Sequence, residues 1–141
     1  MPRHLLQSPS YELSWQPERG TFRLESPGRL IEGGPGLEFV RNGRVRTIDA
    51  VELTAGRAQE AGLEDAHGAA QELQVHYQEL YGLALSMRIR LYANRPFTLI
   101  RLSVTNVGPD PVRLRHFYIE TTPDGIRATG PATGGYVNGW Q

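Results

Sequence analysis

Apolar and polar residues alternate along much of this chain with a period of two, the pattern of a β-strand that turns one face toward a core. The longest example is LALSMRIRLY at residues 83–92, in which every odd-numbered residue is apolar. Residues 97–106, FTLIRLSVTN, repeat the alternation after a connection, ANRP, whose Asn and Pro favour a turn. We therefore predict that residues 83–92 and 97–106 form an antiparallel pair of strands.

Shorter alternating segments extend this pattern toward both ends of the chain. They are YELSW at residues 11–15, TFRLE at 21–25 and ELQVHYQE at 72–79. The dipeptide Asn42-Gly43 separates two further strand-like segments and tolerates the positive φ angles of a type I′ turn, so it predicts a β-hairpin. In VRLRHFYIET the apolar face changes partway, which predicts a β-bulge near Arg115 or His116.

Three segments interrupt the alternation. Residues 33–36, GGPG, and 108–111, GPDP, are predicted to be turns because Gly and Pro dominate them. Residues 54–71 are rich in Ala, Glu and Gly and have few apolar side chains to bury, so we predict a mobile loop or a β-connection there. Many short strands without a helical pattern predict an all-β sandwich or barrel. The two long strands favour a two-sheet antiparallel sandwich, forming a single domain over residues 1–141.

Composition and charge narrow the range of partners. The 15 basic residues, all of them Arg, balance 15 Asp and Glu, so we expect no binding to nucleic acid or to a membrane surface. The chain has no Cys, which excludes a disulfide scaffold, a thiolate zinc site and a Cys nucleophile. It shows neither the apolar core of a signal peptide nor a run long enough to cross a membrane, so a cytoplasmic location is expected.

Candidate catalytic side chains are scattered along the chain. The four histidines do not fall in a metal-ligand spacing, so we predict no metal site and no other cofactor. His76 is expected at the surface, and His116 half-buried at the bulge. The adjacent carboxylates Glu64 and Asp65 lie in the predicted loop, where nothing would fix the separation that a glycosidase needs. We therefore predict no catalytic residue.

Two groups of arginines remain. Arg41, Arg44 and Arg46 flank the hairpin turn and are expected to form a solvated tip, because Phe39 is the only aromatic residue close to them in the sequence. A second group is expected to share one outer face that meets water or another domain, and comprises Arg88, Arg90, Arg101, Arg113 and Arg115.

The order FTLIRLSVTNVGPDPVRLRHFYIET, a Gly-rich gap and then GYVNGWQ resembles the N-terminal β-sandwich of glycoside hydrolase family 36, the α-galactosidases and related enzymes. The specific part of the resemblance is roughly the last 45 residues, in which the matching positions are Val104 to Gly108 and Tyr136 to Gln141. The resemblance implies a supersandwich of the galactose-mutarotase kind that packs against a catalytic (β/α)8 barrel. In that family a retaining mechanism uses two Asp residues on the barrel, and neither has a matching position here.

The resemblance also implies a role for the end of this chain. The terminus is expected to be a cut ahead of the barrel, or the chain a stand-alone remnant. Tyr136 and Trp140 would lie where the sandwich meets the barrel and border the sugar pocket, and Trp140 could equally be an interdomain packing residue. Since these aromatic residues would leave an apolar patch on an isolated domain, a homo-oligomer is a further expectation.

Two alternatives stay open. A stand-alone carbohydrate-binding module would need a platform of exposed aromatic side chains, for which the candidates are Trp15, Tyr81, Tyr92 and Tyr118. An aldose epimerase would share the supersandwich and would use a His acid and a Glu base, for which His76 and Glu120 are the candidates, although nothing in their spacing supports the assignment.

Overall fold

A computed structural model describes residues 3–128, and for residues 123, 124 and 126–128 the backbone alone. The described residues form ten strands that pair into two antiparallel sheets, as the alternation predicts. The strands are β1 (His4–Gln7), β2 (Glu12–Gln16), β3 (Thr21–Ser26), β4 (Arg29–Arg41), β5 (Arg44–Ile48), β6 (Ala55–Asp65), β7 (Gly68–Tyr77), β8 (Leu83–Tyr92), β9 (Thr98–Asn106) and β10 (Arg113–Ala128). Between residues 3 and 128 the only helix is one 3₁₀ turn at Ala50–Glu52, so no helix there could span a membrane.

The six-stranded sheet runs in the order β1-β2-β3-β4-β10, and β5 also pairs with β4. Its centre is β4, whose 13 residues pair with β10 along one edge and with β3 and then β5 along the other. The four-stranded sheet, β6-β7-β8-β9, is a simple meander of consecutive hairpins. The predicted pairing of 83–92 with 97–106 is confirmed, with Leu83 opposite Asn106 and Met87 opposite Leu102.

The core lies between the two sheets and consists of the side chains that the alternation assigns to the inner faces. The six-stranded sheet contributes Trp15, Phe22 and Phe39, and all three are 0% exposed. The rings of Trp15 and Tyr77, one from each sheet, meet edge to face with their centroids 6.4 Å apart. The two-sheet antiparallel sandwich is therefore confirmed.

Two local predictions on the six-stranded sheet are also confirmed. Asn42 and Gly43 have φ angles of 51° and 74°, and they join β4 to β5 in a two-residue hairpin. The register of β10 against β4 shifts between Leu114 and His116, which is the predicted bulge.

The prediction of a turn at residues 33–36 is wrong, because these residues lie inside β4. Their glycines serve close packing rather than chain reversal. A Cβ at Gly33 would lie 2.2 Å from the carbonyl oxygen of Glu120, and one at Gly36 would lie 2.3 Å from Cε2 of Tyr118. Glycine therefore allows β10 to lie directly against this part of β4.

The prediction of a mobile loop at residues 54–71 is also wrong. The segment contains β6 and the start of β7, which pair from Ala55–Tyr77 to Asp65–Gly68. The strand was missed because β6 is the edge of its sheet, where short and charged side chains are tolerated and a clear apolar alternation is not required.

The two ends of the sandwich differ. At one end His4 of β1 pairs with Glu60 of β6, with Nδ1 and Oε2 2.9 Å apart, so the two sheets are joined there. The edge strands β9 and β10 therefore lie at the opposite end. Their inward-facing apolar side chains pack on the core but are only half-buried, namely Ile100, Leu102, Val104, Phe117 and Ile119, and the same holds for Val112 just before β10. The sandwich is thus less well covered at this end, which we call the open end.

Candidate functional site

A cavity of about 500 Å³ lies where the tip of the β4–β5 hairpin meets the connection between β7 and β8. We call it the arginine pocket. It is lined by Phe39, Arg41, Asn42, Arg44, Arg46 and Tyr81. The hairpin supplies all of these residues except Tyr81, which comes from the other sheet of the sandwich. The pocket therefore spans the two sheets, and its size suits a small organic molecule.

Two arginines hold this pocket together through contacts with aromatic rings and backbone. The guanidinium carbon of Arg46 lies 4.5 Å from the ring centroid of Tyr81, and that of Arg41 lies 5.6 Å from the ring centroid of Phe39. Arg41 also donates a hydrogen bond from Nη1 to the backbone carbonyl of Tyr81. The hairpin is thereby fastened to the β7–β8 connection, while residues 42–47 around its tip are exposed to solvent, as the sequence predicts.

The backbone at Tyr81 has an uncommon conformation that places its ring in the pocket. Tyr81 has a φ of 52°, in the left-handed region that a bulky side chain seldom adopts. Gly82 follows with a φ of 72°, and Leu80 and Leu83 exchange backbone hydrogen bonds of 3.0 and 2.9 Å across this tight turn. The turn is therefore held closed by its own hydrogen bonds, and it presents Tyr81, 39% exposed, toward the arginines.

The positive charge of the arginine pocket is not paired with any carboxylate that the structure describes. Among the side chains that the structure describes, Arg41, Arg44 and Arg46 form no salt bridge with a carboxylate. Nε and Nη2 of Arg41 are also covered from solvent without a hydrogen-bond acceptor. The charge of the half-buried Arg41 is therefore poorly screened, and it contributes a positive field to the pocket.

A second cluster of charged groups lies on the outer face of the four-stranded sheet. Arg90 is its centre, and its guanidinium contacts Oδ2 of Asp65 at 2.5 Å and Oε2 of Glu72 at 2.6 Å. The Tyr92 hydroxyl donates to the same Asp65 oxygen at 2.5 Å, and the His67 backbone N–H donates to the other at 2.7 Å. Asp65 was expected in a mobile loop, but this network holds it at the end of β6.

The electrostatics of this network suit a structural role rather than acid–base catalysis. Hydrogen bonding from the Tyr92 hydroxyl, and then from the His67 backbone and Arg90, lowers the pKa of Asp65 to about 2. A general acid needs a carboxyl whose pKa is raised toward neutrality. Asp65 therefore stays ionised at ordinary pH as a fixed counter-charge for Arg90.

The lowered pKa of Asp65 leads to a prediction about acid stability. The carboxyl has a pKa of about 2 in the folded chain and an ordinary pKa of 3.8, so its contribution to stability is complete above about pH 4 and is lost as pH falls toward 2. We expect urea midpoints to fall more steeply between pH 4 and pH 2 in the parent protein than in Asp65→Asn. The exposed neighbour gives a matched control, Glu64→Gln, which should keep the parental slope. Parallel slopes for the parent and Asp65→Asn would contradict the prediction.

The residues proposed for an epimerase are not brought together. His76 lies on β7 of the four-stranded sheet, where burial and the nearby Arg57 and Arg88 lower its pKa. Glu120 lies on β10 of the six-stranded sheet, where its carboxylate accepts a 2.7 Å hydrogen bond from the Ala50 backbone N–H. The two residues are thus on different sheets, and one of them already has a structural partner.

The proposed aromatic platform is also not assembled. Trp15 and Tyr92 are both 0% exposed and therefore cannot present a ring face to a sugar. Tyr118 lies over Gly36 on the six-stranded sheet, away from Tyr81 on the β7–β8 connection. His116 differs from its prediction as well, because its side chain is 64% exposed.

The second group of arginines does not form one face. Arg88 and Arg101 are cross-strand partners on the four-stranded sheet, as expected. Arg113 and Arg115, however, belong to β10 and hence to the other sheet, because β10 pairs with β4 and not with β9. The two residues predicted to border a sugar pocket, Tyr136 and Trp140, lie outside the described residues.

Comparison of the chain with protein-family models, with curated proteins and with solved structures finds no match. The fold and the geometry of its surfaces are therefore the grounds on which function is proposed.

Proposed function

We propose that this chain is a non-catalytic N-terminal domain of an α-galactosidase-like glycoside hydrolase, and that its open end packs on the catalytic (β/α)8 barrel and helps to shape the sugar pocket. The two-sheet sandwich fits the supersandwich that the sequence resemblance implies. The choice of α-galactosides as substrate rests on the resemblance of residues 136–141 to the NGWQ segment of that family.

The observation that carries the docking part of this proposal is the incomplete burial at the open end. Core side chains elsewhere, such as Leu37 and Ile89, are 0% exposed, whereas Phe117 and Ile119 of β10 are half-buried. Two further apolar side chains are largely exposed, Val107 of the β9–β10 connection at 49% and Leu114 of β10 at 44%. Incompletely covered apolar side chains along a sandwich edge are typical of a surface that another domain covers.

The proposal also uses the direction of the chain. β10 is an edge strand of the open end and also the last described strand, so the described part of the chain ends on a strand of the proposed docking surface. This placement favours a barrel in the same chain over a separate protein as the occupant.

The coding sequence downstream of Gln141 tests the proposal first. We expect it to continue in frame into a (β/α)8 barrel, and we expect the complete product to release p-nitrophenol from p-nitrophenyl α-galactoside with retention of configuration. A gene that encodes no barrel would overturn the docking proposal. A complete product with a barrel that hydrolyses other glycosides only would overturn the substrate assignment.

A substitution at the open end then tests the docking surface in that complete product. Leu114→Glu places a charge on an apolar side chain that the isolated domain leaves exposed, so it should weaken interdomain packing by about 1–2 kcal/mol and lower the temperature at which activity is lost. Leu5 is 56% exposed at the far end of the sandwich, so Leu5→Glu is a matched control that should leave this temperature unchanged. Equal effects of the two substitutions would contradict docking at the open end.

A further inference from the structure

We propose that the arginine pocket binds the oxyanion group, a carboxylate or a phosphate, of a small molecule. The pocket borders the open end, because Leu114 is the cross-strand partner of Phe39, but its lining consists of residues other than the apolar ones of that end. The proposal therefore does not depend on the presence of a barrel.

The composition of the pocket defines the chemistry of its ligand. Its lining has three guanidinium groups and an amide, and no carboxylate. Guanidinium groups bind carboxylates and phosphates through two parallel N–H donors, so an oxyanion complements this lining better than a neutral or cationic group. Because no described carboxylate pairs with these three arginines, a bound anion would not have to displace an internal partner.

The buried part of the pocket supports the same conclusion. The Nε and Nη2 atoms of Arg41 lack acceptors and are shielded from water, so their charge is poorly screened. The exposed guanidinium groups of Arg44 and Arg46 stand at the entrance, where they can form direct hydrogen bonds with a ligand. Arg41 would therefore attract the anion through its charge from the covered part of the pocket, while Arg44 and Arg46 would form the hydrogen bonds with it.

The rigidity of the pocket argues for a binding site rather than a collection of solvated side chains. Arg46 is held against the Tyr81 ring at 4.5 Å, and Arg41 is anchored to the Tyr81 carbonyl. Two charged groups of one sign are thus held against the same tyrosine although they repel each other. The volume of about 500 Å³ fits a molecule of the size of a sugar acid or a sugar phosphate and is too small for a folded partner.

Calorimetric titration of the 141-residue chain tests this proposal. The probes are inorganic phosphate and D-galacturonate, with D-galactose as the neutral counterpart of the second, in a dilute Tris–chloride buffer that limits screening. We expect at least one of the two anions to bind with a Kd of about 1 mM or lower, and galactose not to bind in that range. Binding of phosphate alone would identify a phosphorylated ligand, binding of galacturonate alone a carboxylate ligand, and binding of both the shared chemistry.

Variants locate the binding. Arg44→Gln combined with Arg46→Gln should raise the Kd at least about tenfold, and Arg46→Lys should raise it less, because the charge is kept while the planar fork is lost. Arg29→Gln removes one arginine charge at the start of β4, the end opposite to Arg41 and the hairpin, so it should change the Kd by less than about twofold. Circular dichroism verifies that each variant is folded.

Three results would overturn the proposal. They are the absence of binding by both anions at about 10 mM, equal binding of galactose, and an equal loss of affinity in Arg29→Gln. None of them bears on the open end, whose test is the complete gene product and its activity.

Discussion

Replacing Gly33 with alanine is expected to lower the free energy of unfolding by about 3 kcal/mol or more, since the site cannot accept even one methyl group. A Cβ there would lie 2.2 Å from the carbonyl oxygen of Glu120, 3.0 Å from its carbonyl carbon and 3.1 Å from Cα of Thr121. All three atoms belong to the backbone of β10, so relief requires that β10 move away from β4. The substitution therefore weakens the longest strand pair in the six-stranded sheet.

Gly62→Ala is the matched control for this effect. Gly62 also lies within a strand, but a Cβ at this position would meet no atom within 4 Å. The substitution should change the stability by less than about 0.5 kcal/mol, or raise it slightly because alanine has less freedom in the unfolded chain. Urea denaturation measures both variants. If the free energy of unfolding of Gly33→Ala were within about 1 kcal/mol of the parental value, β10 would not lie as close to β4 as described.

Removing the arginine at the centre of the outer-face network is expected to have the second large effect. Arg90→Met should destabilise the domain by about 3–5 kcal/mol, because it leaves two carboxylates without their common cation. The Glu72 side chain is only 2% exposed and the Asp65 side chain 24% exposed, so water cannot fully replace the guanidinium. The carboxylates of Asp65 and Glu72 both contact Arg90, so they lie near each other. They would therefore repel each other once the guanidinium is removed.

Further substitutions distinguish the loss of the ion pairs from a simple change of shape. Arg88→Met removes an exposed arginine two residues earlier on β8, where the opposite residue is Arg101, so its stability should be unchanged or slightly higher. A triple variant, Arg90→Met with Glu72→Leu and Asp65→Asn, should recover much of the lost stability because no uncompensated charge remains. If Arg88→Met and Arg90→Met unfold at the same urea concentration, the network does not contribute as proposed.

The parts of the fold that the sequence predicts are those in which local pattern and final structure agree. Residues 83–92 are a clear case, because β8 is an interior strand with one face on the core, and an alternating pattern is then required. The Asn42-Gly43 turn is another, since its geometry depends on two adjacent residues only. In both cases a few residues adjacent in the sequence determine the local structure.

The errors arise where a distant segment gives a residue its role. Gly33 and Gly36 are typical of turns when considered locally, and they are interior strand residues because β10 arrives from more than 80 positions away to lie against them. The edge strand β6 lacks apolar alternation, and its pairing with β7 becomes evident only in three dimensions.

The arginine pocket was missed for the same reason. Its arginines were visible at the hairpin, but Tyr81 lies far along the chain and on the other sheet. The Tyr81-Gly82 dipeptide was a local clue in the sequence, because a glycine within a Leu-Tyr-Gly-Leu segment favours a tight turn. The positive φ angles of both residues agree with such a turn. It could predict a turn there, but not the arginine that the turn meets.

The connectivity of β4 determines when this domain can finish folding on the ribosome. The meander β6-β7-β8-β9 contains pairings between consecutive strands only, so it can assemble as soon as residue 106 has left the exit tunnel. One edge of β4 stays unpaired until β10, whose last paired residue is Ala128, has also left the tunnel. Nascent chains therefore display an unpaired strand edge for the time needed to translate β10, and a pause in that interval would favour association between neighbouring chains.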